Sequence, residues 1–214
     1  MAPEDKPVAH LNEIIAFRWA DYDTPLWVRP NSRAGRFNRA SQAATQYWCL
    51  DPHAPWAELI RQEEIRTEAE VAMVRMRFWT ACWSVGPVAD MRTFAKADSW
   101  GIDPAVLVDD DHSTCRDLAD VVRAADLAGL LCPSAALPEA VSLVVFGPRI
   151  AVGWHAEPRL ASGVPTAEIG RAIPPEGVLE HVRHRGDRHT GLVRYQREKA
   201  AADRARGRGH GSTP

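Results

Sequence analysis

The residues best suited to chemistry lie in one stretch. Arg33-Ala34-Gly35-Arg36-Phe37-Asn38 is followed by Tyr47, and then by Glu58 in Trp56-Ala57-Glu58-Leu59-Ile60. Arg36 to Tyr47 and Tyr47 to Glu58 are each eleven residues. A glycine lets the backbone approach an anionic ligand, and guanidiniums clamp phosphate oxygens in charge-assisted pairs. A ring can stack on a flat heterocycle, and a carboxylate can stabilise positive charge developing on a sugar. These are the parts needed to hold a dinucleotide and break a glycosidic bond in it. A plainer reading also fits the spacing: a basic loop followed by a surface helix, with every charge solvated.

The elements that must position these residues are legible in part. Residues 11–19 end in a short β-like run in which Arg18 sits between Phe17 and Trp19, so a strand turns it away from both rings. Residues 20–46, rich in Asp, Pro, Asn and Ser, read as a long loop that Trp27 and Phe37 pin by packing. Residues 46–50 predict a strand carrying Tyr47. Asp51-Pro52, with Pro55 beyond, predicts a helix start. Trp56, Leu59 and Ile60 then share one helical face and Glu58 lies on the other. Taken alone, Glu58 is a solvated carboxylate; it can be catalytic only if its face lines a cleft.

Further on, the period-two pattern of Val74-Arg75-Met76-Arg77-Phe78 predicts a strand whose arginines face solvent. Residues 88–100 predict a helix and 101–112 a turn-rich link. Thr114-x-x-Asp117 resembles a capping box ahead of an amphipathic helix through Leu118, Val121, Val122 and Ala125. Gly129–Cys132 reads as a buried strand ending in a Pro133-Ser134 turn. Residues 142–146 and 149–154 are two apolar runs split by Gly147-Pro148, hence a hairpin. Residues 189–200 read as helical. No Walker loop or Rossmann fingerprint is present, so a mixed, mainly antiparallel α+β fold fits better than a doubly wound sheet.

Arg18, the Arg33-x-Gly35-Arg36-Phe37-Asn38 run, Tyr47, Glu58 and Cys132-Pro133-Ser134-Ala135 resemble the RES-domain proteins, over roughly residues 11–154. That family takes its name from an arginine, a glutamate and a serine. Its members are mostly toxins of bacterial toxin–antitoxin pairs, with a fold similar to ADP-ribosyltransferases. The resemblance implies an NAD+-consuming enzyme that cleaves the nicotinamide–ribose bond, with phosphate or water as acceptor. It implies catalytic roles for Glu58, Arg36 and Ser134, and NAD+ binding by Arg18, Arg33, Arg36, Asn38, Tyr47 and Ser134. It also implies a cognate antitoxin protein with a DNA-binding domain. Two alternatives stay open: a mono-ADP-ribosyltransferase acting on a protein, and an inactive RES-like binding module. The chain departs from the family pattern at Ala34 and at Arg39-Ala40, where glycines are common. It departs again at Ala136-Leu137-Pro138-Glu139, where arginine and glycines often follow the serine.

Composition bounds the rest. At 214 residues with 45% apolar content the chain can build one real core. Residues 181–214 hold nine Lys/Arg against three Asp/Glu, a charge of +6. Residues 1–180 hold seventeen against twenty-five, a charge of −8, which argues against a nucleic-acid-binding body. Cys49, Cys82, Cys115 and Cys132 form no Cys-x-x-Cys pair and read as reduced thiols of a cytoplasmic protein. No apolar run is long enough to span a bilayer. His181-x-x-His184 lacks a third ligand at sensible spacing, so no metal is expected. The expected organisation is a flexible arm over 1–10, the RES-like catalytic domain over 11–154, an extension over 155–200 and a disordered basic tail over 201–214.

Overall fold

The computed structural model describes residues 6–21, 25–26, 31–147 and 161–209. Its frame is a circuit of five strands. The long β1 (Val8–Trp19) pairs antiparallel with the still longer β3 (Met76–Asp90), with Phe17 opposite Thr80. At its far end β1 touches β2 (Thr45–Cys49) through Phe17 and Cys49. β2 runs antiparallel to β5 (Val141–Phe146), β5 antiparallel to β4 (Gly129–Pro133), and β4 returns parallel to the end of β3. A sixth strand, β6 (Ala161–Ala172), lies antiparallel on the other edge of β3.

Alternation along these strands separates two surfaces. Register sets Trp48 beside Leu143, and Leu143 beside Leu131. These side chains pack with Ala16, Ala81, Trp83 and Val85 into one buried cluster. Trp48 and Trp83 meet edge-on with centroids 5.3 Å apart, and both are essentially inaccessible. The opposite surface carries Tyr47, Cys49, Ser142, Val144, Leu130 and Cys132 in matched register. Its Leu130–Val144 side is roofed by α3 (Phe94–Ser99) and α4 (Ser113–Ala124) through Phe94, Leu118 and Val122. α1 (Ala54–Gln62) packs elsewhere: Trp56 stacks on Phe78, and Ile60 joins Val71, Val178 and Val182. The short α2 (Glu68–Met73) and α5 (Val178–His181) complete that third cluster.

Several expectations need correction. Of the helix expected over 88–100 only 94–99 is helical; residues 88–90 are the end of β3, held by β1 on one side and β4 on the other. The capping box at Thr114 does not form. Helix α4 starts at Ser113, whose amide is taken by the carboxylate of Asp111 at 2.9 Å. The sheet does not end by residue 154, because β6 contributes a full strand beyond it. The tail expected to be disordered from 201 continues α6 (Thr190–Gly209). Alanine and arginine favour helix strongly, and propensity outweighs the low hydrophobicity there. Residues 149–154, expected as the second half of a hairpin, lie outside the described residues, as does Trp27.

The other expected elements are present. β2, α1, β4 and β5 fall where the sequence places them, whereas β1 begins at Val8 and takes in residues 8–10 of the arm expected to be flexible, because Val8 and Ala9 pair with Ala89 and Val88. Phe37 does pin the loop, at 1% exposure. Arg77 is on the sheet surface, paired with Glu168 at 3.1 Å. The four cysteines are free thiols.

Candidate active site

The free part of the β2–β5–β4 surface, between α1 and the loop following β1, is the floor of a cleft of about 760 Å³. That lies within the roughly 300–1,000 Å³ range of small-molecule sites. Tyr47, Val144, Ser142 and Cys132 form the floor; Arg18, Arg36, Arg61 and Arg185 bring four guanidiniums to the walls. Among the described residues, Asp21, Glu58 and Asp110 are the carboxylates facing it.

Glu58 reaches the cleft because α1 buries one face through Trp56 and Ile60 and turns its other face toward the sheet floor. The residue keeps partial exposure, while its carboxyl is desolvated. Burial pushes its pKa up. The Cys49 thiol, which donates to Oε1 at 3.5 Å, pulls the other way, as do Arg36, Arg18 and the Ser142 hydroxyl, without cancelling the shift. Ionising this carboxyl therefore carries an energetic cost, which positive charge brought beside it would offset.

The arginines are anchored rather than loose. Nη1 of Arg36 donates to the carbonyls of Leu107 and Asp109, at 3.2 and 2.8 Å. Arg18 donates to Pro25 O at 2.7 Å and lies over the Trp48 ring, 5.3 Å from its centroid. Arg61, one turn beyond Glu58, is 8% exposed, pairs with Asp110 and donates to Arg183 O at 2.8 Å. His112, also on the wall, is pulled down to about 4 by burial and by Arg36, Arg116 and Arg61, so it is neutral at pH 7.

The structure therefore brings together Arg18, Arg36, Tyr47 and Glu58. It does not bring Arg33, Asn38 or Ser134 into the cleft. Arg33 is exposed, and its carbonyl accepts from Asn38 Nδ2 at 2.9 Å. Asn38 is 1% exposed and accepts the Tyr47 hydroxyl proton at 2.7 Å. That hydroxyl in turn accepts from Phe37 N at 2.9 Å, so Tyr47 offers a ligand its ring face only. Gly35 has a packing role here: a Cβ at this position would sit 2.5 Å from Asn38 Oδ1 and 2.7 Å from the Tyr47 hydroxyl. Ser134 is buried behind the floor, where its Oγ accepts from the amides of Ala136 and Leu137 at 3.3 and 3.2 Å. Its neighbours Pro133 and Ala135 line the cleft in its place.

Arg61, Asp110, His112, Ser142 and Arg185 are cleft residues that the sequence reading missed. Arg61 carried a signal, since i and i+3 share a helical face. Ser142 carried a weaker one through alternation along β5. Asp110, His112 and Arg185 come from loops and carried none. Among the described residues, no group of three or more His, Cys, Asp or Glu side chains is placed to hold a metal ion, and no helix is long and apolar enough to cross a membrane.

Comparison with known proteins is consistent with this geometry. The RES domain family model matches residues 10–173. A solved structure described as the M. tuberculosis MbcT–MbcA toxin–antitoxin complex contains a similar chain, at 18% identity and a TM-score of 0.61. The alignment covers 82% of this chain and 91% of that one. A comparison with curated protein sequences returns no match.

Proposed function

Because the chain belongs to the RES-domain family, we propose that it is the toxin of a toxin–antitoxin pair and acts by cleaving the nicotinamide–ribose bond of NAD+. The observation that carries this reading is the desolvated Glu58 carboxylate in a cleft whose other walls hold anchored arginines. Arg36 and Arg18 bind the two phosphates, and the Tyr47 ring stacks on a flat part of the substrate. Bond cleavage releases nicotinamide as a neutral leaving group, its ring nitrogen taking the electron pair, so no general acid is needed. The ribose carbon becomes cationic, and Glu58, fixed by Cys49 and Ser142, stabilises that charge more than it stabilises the ground state. Water as acceptor gives ADP-ribose and a proton; phosphate gives ADP-ribose 1″-phosphate.

Ser134 acts in this reading through the backbone, by shaping the turn that presents Pro133 and Ala135. The fold's kinship with ADP-ribosyltransferases belongs to the same proposal, as does action in the cytoplasm. The solved neighbour is described as part of a toxin–antitoxin complex, which supports a proteinaceous antitoxin as partner. The family resemblance adds a DNA-binding domain on that antitoxin. The test is to incubate the purified protein with NAD+ and follow nicotinamide release. Release above the spontaneous rate is the expected result, with mass spectrometry of the second product identifying the acceptor. No release from folded protein, with or without phosphate, overturns the reading.

A further inference from the structure

The turn after β4 that lines the cleft has three consecutive carbonyls, those of Ser134, Ala135 and Ala136. All three are held by one short segment near the C-terminus. His189 Nε2 donates to Ser134 O at 3.0 Å. Arg183 Nη1 donates to Ala135 O at 3.0 Å, and the Arg183 amide donates to Ala136 O at 2.8 Å. His189 is itself fixed, because its Nδ1 accepts the Leu192 amide at the start of α6, at 3.2 Å. That acceptor leaves the proton on Nε2, where the Ser134 carbonyl needs it.

The same guanidinium also reaches the segment ahead of α4. Arg183 Nη1 also donates to Val108 O at 2.8 Å. Val108 lies between Leu107 and Asp109, whose carbonyls hold the guanidinium of Arg36. Arg183 thus ties the segment that aims Arg36 to the turn that carries Ala135 and Ala136. The tie is reinforced on both sides: Arg61 donates to Arg183 O, and the Gly186 amide donates to Asp110 Oδ2 at 3.0 Å. Arg183 does not line the cleft, and it lies beyond the residues matched by the RES domain.

We infer that Arg183 is a positioning residue that sets the width of the cleft, holding the Arg36 anchor and the Ser134–Ala136 turn at the spacing the substrate needs. The inference rests on the NAD+-cleavage reading for its kinetic consequence and on the hydrogen bonds alone for its structural one. Nη1 of Arg183 makes both bonds, to Val108 and Ala135, while Nε of the same planar group donates to Asp187 O at 2.9 Å and fixes its direction; a lysine has one nitrogen and cannot hold both positions. Charge alone therefore does not replace it.

The experiment compares full-length wild type, Arg183→Lys and Arg183→Ala. Amide hydrogen exchange is measured without substrate, and KM and kcat for NAD+ are measured on the folded fraction. Exchange should rise by tenfold or more at residues 105–109 and 134–137 in both variants and stay as in wild type in β1 and β3. KM for NAD+ should rise about tenfold or more in both, a larger change than in kcat, because Arg36 loses its aim toward the phosphates. Millimolar guanidinium should recover part of the KM change in Arg183→Ala. Unchanged exchange at the two segments overturns the inference, as does wild-type KM in Arg183→Lys, or a loss that only tracks global unfolding. A wild-type protein that never cleaves NAD+ overturns the functional reading instead, and the exchange result then decides the structural claim by itself.

Discussion

Replacing Tyr47 by Phe removes a single oxygen, and the structure fixes what that oxygen does. It donates to Asn38 Oδ1 at 2.7 Å and accepts from Phe37 N at 2.9 Å. Asn38 and Phe37 are each 1% exposed, so water has no easy access to either orphaned group. A buried polar group left without its partner costs about 1–3 kcal/mol. Two such groups, with some relief from local relaxation, give a loss of about 2–4 kcal/mol. For a chain of this size each kcal/mol moves the melting temperature by about 2–4 °C, so the expected fall is roughly 4–16 °C. The ring stays on the cleft floor, so NAD+ turnover by the folded fraction should remain within about threefold of wild type. Thermal melts with turnover measured well below both midpoints provide the assay. In a double-mutant cycle, Tyr47→Phe and Asn38→Ala should couple by about 1 kcal/mol or more, since each exposes the same broken pair. A variant as stable as wild type that loses turnover would refute this reasoning, because the hydroxyl would then serve the substrate and not the loop.

Two other outcomes concern Gly35, beside the same hydrogen bond, and His112 on the cleft wall. Gly35→Ala forces a methyl against the Asn38–Tyr47 hydrogen bond, so it should destabilise by about 1–3 kcal/mol in a denaturant titration, whereas a merely flexible loop glycine would tolerate it. His112 should titrate near pH 4 by NMR, where an unfolded histidine takes up its proton near 6.5. Between those values the unfolded state binds more protons, so His112's contribution to stability is full above about pH 6.5 and is lost as pH falls toward 4. A midpoint between 6 and 7 would remove His112 from the desolvated wall.

Much of the scaffold was legible because local rules and the global fold agree there. The Asp51-Pro52 start, the Trp56/Ile60 stripe and the alternation through β2, β4 and β5 all survive in the structure. Even the placement of Glu58 opposite the apolar stripe is right. The sequence could not show that a sheet surface lies across from that face, since strands 130 and 141 come from far along the chain. β6 escaped notice because an edge strand with Gly163, Pro165 and Gly170 shows neither alternation nor an apolar run. The residues at 85–90 misled for a similar reason: Gly86-Pro87 looks like a break, yet β3 runs through it between two partners. Ser134 shows the limit at the site itself. Pro-Ser after a buried strand marks a turn, but the residue types do not say that the hydroxyl is used within that turn, accepting from the amides two and three residues on, and so is turned away from the cleft.

The central claim is that the Glu58 carboxylate stabilises positive charge on the ribose of NAD+. Glu58→Gln keeps the shape and removes the charge, so nicotinamide release by wild type and variant, at matched folded fraction, is the most direct measurement. Losing one such electrostatic contact costs about 10²–10³ in kcat, or roughly 3–4 kcal/mol, with KM changing far less. Because burial raises the Glu58 pKa, ionising it costs stability as pH rises through that value, so wild type should lose more stability than the Gln variant as pH is raised. The acid limb of the wild-type rate should likewise sit above the ordinary glutamate range and vanish in the variant. A Glu58→Gln protein that is folded, binds NAD+ and cleaves it within a few-fold of the wild-type rate would contradict the account.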